Sequence, residues 1–360
     1  MRAPWGDAAA STASSSPTPR SHDMANPASS ARRCARATRG GTSDGSITRP
    51  SHGAPVRGNR VRHSGGAARG NRSAATAPRR EEWAAGGHVD VAAVVTDLDG
   101  TLWHEPSTVH PRTRSALARL SASPVPVLVA TGRRVHSTRA PLAALGVAPP
   151  AVVLNGALGL DLATGERFHQ GGFTRGDAVV VLDVFHAHGV HPCVYVDDDT
   201  HPVRVSATPS THPEHLADFG AHARVSDLHD VVGDAPVLAF GVLGIDRALA
   251  EAVGNALHGV ATPHVDRARD YGGFTVTVAP ATGSKWDGVA AYCAHHELDP
   301  AQVLAIGDGP NDVEMLAAAA VAVVPADAHP SALALADHVV APAADGGWAE
   351  LLDLLDIDTC

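Results

Sequence analysis

Two acidic clusters, Asp97-Leu98-Asp99-Gly100-Thr101 and Gly307-Asp308-Gly309-Pro310-Asn311-Asp312, flank Lys285 on either side in the sequence. The chain has 28 basic side chains, and Lys285 is its single lysine; all the others are arginine. A compact ammonium and a planar guanidinium are not interchangeable, so a lysine kept in so arginine-rich a chain points to a site where only a point charge fits. Carboxylates grouped around one ammonium suit a pocket that holds a metal ion and a phosphate together.

The spacing of the first cluster divides two tasks. Asp97 is placed to attack phosphorus as a nucleophile and form an acyl phosphate. Asp99, two residues on, is placed to protonate the departing oxygen and later take a proton from water. Gly100 permits a tight turn that brings backbone close to a ligand. A dianionic phosphate repels an anionic nucleophile, so a divalent cation is expected between them. Mg²⁺ favours oxygen ligands, and Asp97, Asp308 and the main-chain carbonyl of Asp99 are the expected donors. Asp312 is expected to steady that arrangement from behind. Thr131, in Ala130-Thr131-Gly132-Arg133, offers a hydroxyl and, with Gly132, main-chain N–H groups to phosphoryl oxygens. Lys285 is expected to neutralise charge on those oxygens, and Asn311 to donate an amide hydrogen bond to them. Each motif taken singly also fits an ordinary turn or helix cap; their joint occurrence in this order favours the chemical reading.

The elements that must position these residues can be traced in the apolar pattern. Short β-branched runs at 91–95, 125–130, 151–154, 303–306, 321–324 and 338–340 suit strands buried on both faces of a parallel sheet. Helical patterns at 113–120, 139–145, 286–295 and 312–319 alternate with them, which predicts a doubly wound α/β domain. Asp97, Thr131, Asn155 and Asp308 each follow a strand, and ligands of open parallel sheets bind at that edge. Between them, residues 173–272 read as an inserted α+β domain. A helix is expected at 177–188, a hairpin of 192–196 and 203–205 turning at Asp197-Asp198-Asp199, a strand at 237–243 and a helix at 247–257. Residues 274–278 alternate as a half-exposed antiparallel strand, yet the return to the catalytic domain, 88–172 and 273–360, is expected at 273.

Composition limits the remaining possibilities. Residues 1–80 carry 14 arginines against Asp7, Asp23 and Asp44 and contain no Leu, Phe or Tyr, so a tail over 1–85 is expected to be disordered. An over-extended start, a targeting segment and a nucleic-acid-binding arm all fit that composition, the first best. The rest of the chain holds 14 basic and 35 acidic residues, which disfavours nucleic acid as a partner. No membrane span is expected. The four cysteines lack metal-ligand spacing and read as free thiols, in keeping with a cytoplasmic location. The histidines at 186, 188 and 191 read as a solvated helix end, Asp197–Asp199 as a hairpin tip, and Trp286 as packing.

Taken together, Asp97-Leu98-Asp99-Gly100-Thr101, Thr131-Gly132-Arg133, Asn155-Gly156-Ala157, Lys285 and Gly307-Asp308-Gly309-Pro310-Asn311-Asp312 resemble the motif set of the haloacid dehalogenase-like hydrolases. The resemblance is strongest to the Cof-type branch, whose type IIB cap lies between the second and third motifs, and it covers roughly 90–355. It implies a Mg²⁺-dependent phosphatase acting on a small phosphorylated metabolite, such as a sugar phosphate, through an aspartyl-phosphate on Asp97. It also implies Asp99 as acid/base, phosphate contacts from Thr131, Lys285 and Asn311, and metal binding by Asp308. Two departures stand: Val324-Pro325-Ala326-Asp327-Ala328, where the family often has Met-Gly-Asn-Ala, and, more mildly, the approach to the lysine, Ala281-Thr282-Gly283-Ser284-Lys285. A phosphomutase or other phosphotransferase of the same superfamily is the alternative. A phospho-accepting receiver protein is disfavoured, because Asp99 serves turnover and not storage of an acyl phosphate.

Overall fold

The computed structural model describes residues 90–105, 108–268 and 272–357; the expected tail over 1–85 lies outside them. The chain begins with strand β1 (Ala93–Thr96), helix α1 (Pro111–Ser121), β2 (Val127–Ala130), α2 (Val135–Ala144) and β3 (Pro150–Val153). Strands β4 (Leu158–Asp161) and β5 (Arg167–Gln170) follow. The inserted segment contains α3 (Arg175–Ala187), β6 (Cys193–Val196), β7 (Val203–Val205), α4 (Pro213–Phe219), β8 (Ala223–Val225) and α5 (Leu228–Asp234). It continues through β9 (Val237–Ile245), α6 (Arg247–Leu257), β10 (Ala261–Arg267) and β11 (Phe274–Pro280). The chain then returns through α7 (Lys285–His295), β12 (Val303–Ile306), α8 (Val313–Ala318), β13 (Val321–Pro325), α9 (Pro330–Leu333), β14 (His338–Val340) and α10 (Leu351–Leu354).

The first sheet runs β14-β13-β12-β1-β2-β3-β4-β5. From β14 to β3 its strands are parallel, and β4 and β5 extend it antiparallel. Its central strands are Val/Ala/Ile/Leu runs, with Thr96 closing β1, and are buried end to end, as strands covered on both faces must be. One face carries Val289, Tyr292 and Cys293 of α7 with Met315 and Leu316 of α8. The other carries Ala116, Leu117 and Leu120 of α1 with Trp348, Leu351 and Leu352. The α/β doubly wound architecture is therefore present. Register does the positioning: Thr96 pairs with both Ile306 and Val129, so the loops carrying Asp97, Asp308 and Thr131 leave the sheet side by side.

The second sheet, β10-β11-β9-β6-β7-β8, has α3, α5 and α6 packed on one face. Its last strand places the return to the first sheet later than the expected 273. β11 pairs with β9 as far as Val278 and with β10 as far as Pro280, and its period-two pattern buries Val276 and Val278 against those helices. Four strands lie outside the sequence expectation, β4, β5, β8 and β10, and the last three have short or broken patterns. β5 is a polar edge, β8 spans three residues, and Pro263 interrupts β10. The helix expected over 312–319 begins at Val313, because Pro310–Asp312 forms a tighter 3₁₀ turn.

Candidate active site

Asp97 follows β1 directly, and its N–H extends the ladder to the Ile306 carbonyl at 2.9 Å. Its carboxylate is buried, with Oδ1 accepting from Lys285 Nζ at 2.6 Å. Lys285 opens helix α7. Ser284 caps that helix through a reciprocal pair: its hydroxyl accepts from the Asp287 N–H and Asp287 Oδ2 accepts from the Ser284 N–H. Thus fixed, Lys285 has no exposed side-chain surface, and a second N–H donates to Asp312 Oδ1 at 2.7 Å. An ammonium carries three N–H groups, so one remains directed elsewhere.

Asp308 and Asp312 lie in the loop after β12. Asp312 Oδ2 accepts from the N–H groups of Asp308 at 3.1 Å and Gly309 at 2.9 Å. Both Asp312 oxygens are therefore engaged, one shaping the loop and one holding Lys285. Asp308 Oδ1 accepts from the Thr101 hydroxyl at 2.8 Å, and its main-chain carbonyl accepts from the His329 N–H at 2.9 Å. That second bond ties the departing segment after β13 to the site. Gly100 sits at φ +90°, and a Cβ there would come within 2.2 Å of Asp308 Oδ2, so the close approach of the two acidic loops requires glycine.

One carboxylate oxygen from each of Asp97, Asp308 and Asp312 lies within 4.8 Å of the other two, the one such trio among the described residues. Burial lifts the Asp97 pKa well above the ordinary carboxylate value; Lys285 opposes this, while Asp312, Asp308 and Asp99 add to it. For Lys285, burial alone would lower the pKa, but Asp312 and Asp97 outweigh it and hold the ammonium protonated. A cluster with several carboxylates and one ammonium is left negative, and a divalent cation with a preference for oxygen would discharge it. The donor set fits such an ion, with Asp97 and Asp308 as the side chains available to it. Asp312 is spent on its hydrogen bonds.

Asp99 is held apart from this trio. Arg133 grips it with two bonds, Nε to Oδ2 and Nη2 to Oδ1, each 2.6 Å, and Trp103 Nε1 donates to Oδ1 at 2.8 Å. The guanidinium also lies 5.0 Å from the Trp103 ring centre. The loop after β2 is bound to the loop after β3: the Thr131 N–H donates to the Val152 carbonyl, and the Asn155 N–H to the Thr131 carbonyl. The Thr131 hydroxyl, buried, accepts from the Arg133 N–H at 3.1 Å. Gly132 faces Asn155, whose Oδ1 would lie 3.0 Å from a Cβ placed there. Asn155 Oδ1 also accepts from Asn311 Nδ2 at 3.0 Å, which joins the second motif to the last one.

The structure thus gathers buried Asp97, Lys285 and Asp312 with half-buried Asp308 into one network, links Thr131 and Asn311 through Asn155, and sets Gly132 against that asparagine. Sequence reasoning did not foresee the work of Thr101, Trp103 or Arg133. Arg133 stood within a recognised motif, but the direction of a side chain across loops is not encoded in spacing. The Asp197-Asp198-Asp199 tip is a tether: Arg167 bonds Asp197 and Asp199, Gln170 bonds Asp197, and Arg204 bonds Asp198. Trp286 packs beside the α7–α8 core. No helix among the described residues is long and apolar enough to cross a membrane.

This arrangement has counterparts. A phosphoglycolate phosphatase of Methanopyrus kandleri is 26% identical over 248 residues, covering 69% of this chain and 89% of that protein. Another phosphoglycolate phosphatase, from Haloarcula marismortui, is 38% identical over 78 residues, a match that spans 22% of this chain and 34% of that protein. In fold, the chain resembles a solved sugar phosphatase of subclass IIB, with a TM-score of 0.57 at 21% identity, covering 74% of this chain and 99% of the other. The profile of the haloacid dehalogenase-like hydrolases matches residues 94–352, from β1 through the last helix and across both acidic loops. By that match and by its phosphatase relatives, this chain belongs to the haloacid dehalogenase-like hydrolases and is a phosphatase within them.

Proposed function

We propose that the protein is a Mg²⁺-dependent phosphomonoesterase that hydrolyses a small phosphorylated metabolite, a sugar phosphate in the first instance, through an acyl phosphate on Asp97. The observation that carries this reading is the buried Lys285 bonded to both Asp97 and Asp312, with Asp308 beside them. Asp97 Oδ2 receives no hydrogen bond from the described residues, so a lone pair is available to attack phosphorus. Asp97, Asp308 and the Asp99 carbonyl would hold Mg²⁺, which supplies the positive charge that lets a dianion approach a carboxylate.

Asp97 bonds to phosphorus as the ester oxygen departs, taking a proton from Asp99. Water then gives a proton to Asp99 and attacks the same phosphorus, releasing inorganic phosphate and restoring Asp97. Arg133 and Trp103 hold Asp99 ionised, the state required for the second half of this cycle. The first half needs that carboxyl protonated, so Arg133 must release it when substrate enters. Lys285 holds Asp97 in place and directs its remaining N–H to phosphoryl oxygen, where the Thr131 hydroxyl, the Gly132 N–H and the Asn311 amide also contribute. The inserted segment, from Arg175 to Pro280, serves as a cap that limits water and selects the leaving group.

Asp97→Asn should reduce kcat at least about 10³-fold while leaving the circular dichroism spectrum and melting temperature near wild type. Removal of divalent ions with EDTA should silence the wild type, and Mg²⁺ should restore it. Wild-type-like turnover in Asp97→Asn would remove the nucleophile assignment. Full activity in EDTA would remove the metal.

A further inference from the structure

The turn that follows β3 is strained at two successive residues. Leu154 and Asn155, neither of them glycine, both lie in the left-handed region, at φ +52° and +55°. Among the described residues the other non-glycine residues with positive φ, Glu297 and Asp356, each stand singly. That conformation costs energy for any residue with a side chain, and more for a bulky leucine than for asparagine. It persists only where the surroundings over-determine it.

Four contacts hold the turn. The Leu154 N–H donates to the Arg133 carbonyl at 2.9 Å, and the Asn155 N–H to the Thr131 carbonyl at 3.1 Å. The Leu154 side chain is buried in the same cluster as Leu98 and Trp103, and Gly156 lies against the Ser284 carbonyl, next to Lys285. One short turn therefore braces the segments that carry Thr131, Arg133 and Lys285.

The strain has a result at the side chain. Asn155 Oδ1 accepts from Asn311 Nδ2 at 3.0 Å, a bond that spans 156 positions of sequence. The other half of the Asn311 amide packs on Gly309, where a Cβ would come within 2.5 Å of Asn311 Oδ1. A primary amide carries two N–H groups. With one of them held by Asn155, the plane of the Asn311 amide is set and its second N–H is left for phosphoryl oxygen. Asparagine suits position 155 because it tolerates the left-handed backbone and offers an acceptor there. Glycine would relax the backbone and alanine would keep the strain, but neither offers anything to Asn311.

We infer that Asn155 is a positioning residue for the transferred phosphoryl group. It acts through Asn311, holding that amide with one N–H turned towards phosphoryl oxygen, and the left-handed turn is what carries its side chain there. The inference rests on the phosphatase reading above and deepens it.

The test measures inhibition of p-nitrophenyl phosphate hydrolysis by inorganic phosphate in the Mg²⁺-loaded full chain, together with urea midpoints. In Asn155→Gly the Ki of phosphate should rise at least about fivefold. Its midpoint should stay near wild type, since relief of strain offsets the added freedom of glycine. Asn155→Ala should show the same rise in Ki with a lower midpoint. Asn311→Ala should raise Ki by a comparable factor, and Asn155→Gly combined with Asn311→Ala should add no more than about twofold to that. Three results would each overturn the inference while leaving the phosphatase reading intact: a Ki within about twofold of wild type in both Asn155 variants, a Ki that tracks the midpoint across them, or full additivity in the double variant. Absence of p-nitrophenyl phosphate hydrolysis by the wild type would overturn that reading and this inference with it.

Discussion

Lys285 does two things that no other side chain in this protein is shaped to do. It enters a pocket with no exposed surface and bridges Asp97 and Asp312 with bonds of 2.6 and 2.7 Å. A guanidinium is wider and flat, so Lys285→Arg must displace one carboxylate or the α7 terminus. We expect kcat to fall at least about 100-fold in that variant even though the charge is kept. Lys285→Met should leave two buried carboxylates without their cation and lower unfolding stability by about 3–5 kcal/mol, measurable by urea titration. Near-normal kcat in Lys285→Arg would mean that charge alone, and not its shape, matters here. Asp312 shows the converse at this scale: it lies within the acidic trio yet has both oxygens bound, so it acts on the site through Lys285 and the Asp308 loop.

The site is held by contacts between element ends. The 3₁₀ turn Leu154–Gly156 after β3 presses on the start of α7, where a Cβ on Gly156 would lie 2.0 Å from the Ser284 carbonyl oxygen at a φ of +106°. Backbone meets backbone there, so neither partner can yield cheaply. Gly156→Ala should therefore cost more than about 2 kcal/mol and also depress kcat, because Ser284 precedes Lys285. Gly165→Ala is the control. Its φ is +81°, but nothing lies within 4 Å of the added methyl, so a cost near 1 kcal/mol with unchanged kcat is expected. Equal costs in the two variants, read from urea midpoints, would show that contact between β3 and α7 is not what positions the lysine. A similar link fixes the other side of the sheet, where Trp348 Nε1 donates to Thr96 Oγ1 at 2.9 Å immediately before Asp97.

At the scale of the molecule, the second sheet is joined to the first through α4 and the start of α2. Arg134 lies 4.5 Å from the Phe219 ring centre, and His215 packs edge-on against that ring at 4.5 Å. Burial, reinforced by Arg134 and only partly opposed by Asp218, brings the His215 pKa down to about 4 from 6.5. His136, His186 and His264 shift the same way. The unfolded chain therefore binds protons below pH 6.5 that the folded one refuses. The stabilisation is complete above that pH and is lost as pH falls through the folded value. Urea stability should decline from pH 6.5 towards 4, with His215 contributing about 3 kcal/mol at most. His215→Leu should flatten the slope, and an unchanged slope would exclude His215 as its source. The buried thiols carry the opposite sign: burial raises Cys193 to about 12 and Cys293 to about 11, so both should resist alkylation in the native state at pH 8.

The sequence by itself determined that the strand ends carry chemistry. In a parallel sheet buried on both faces, the strands must be short apolar runs, and whatever polar residues follow them emerge at one edge. Asp97, Thr131, Asn155 and Asp308 were legible for that local reason. Tertiary structure alone decided what each group does with its lone pairs. That Asp312 is spent, that Arg133 and Trp103 hold Asp99, and that the second sheet runs to Pro280 depend on segments far apart in the chain. Asp97 and Lys285 are separated by 188 residues, and Thr101 and Asp308 by 207. Pairing across such distances is fixed by packing and hydrogen bonding of the whole chain, and no periodicity within one segment records it.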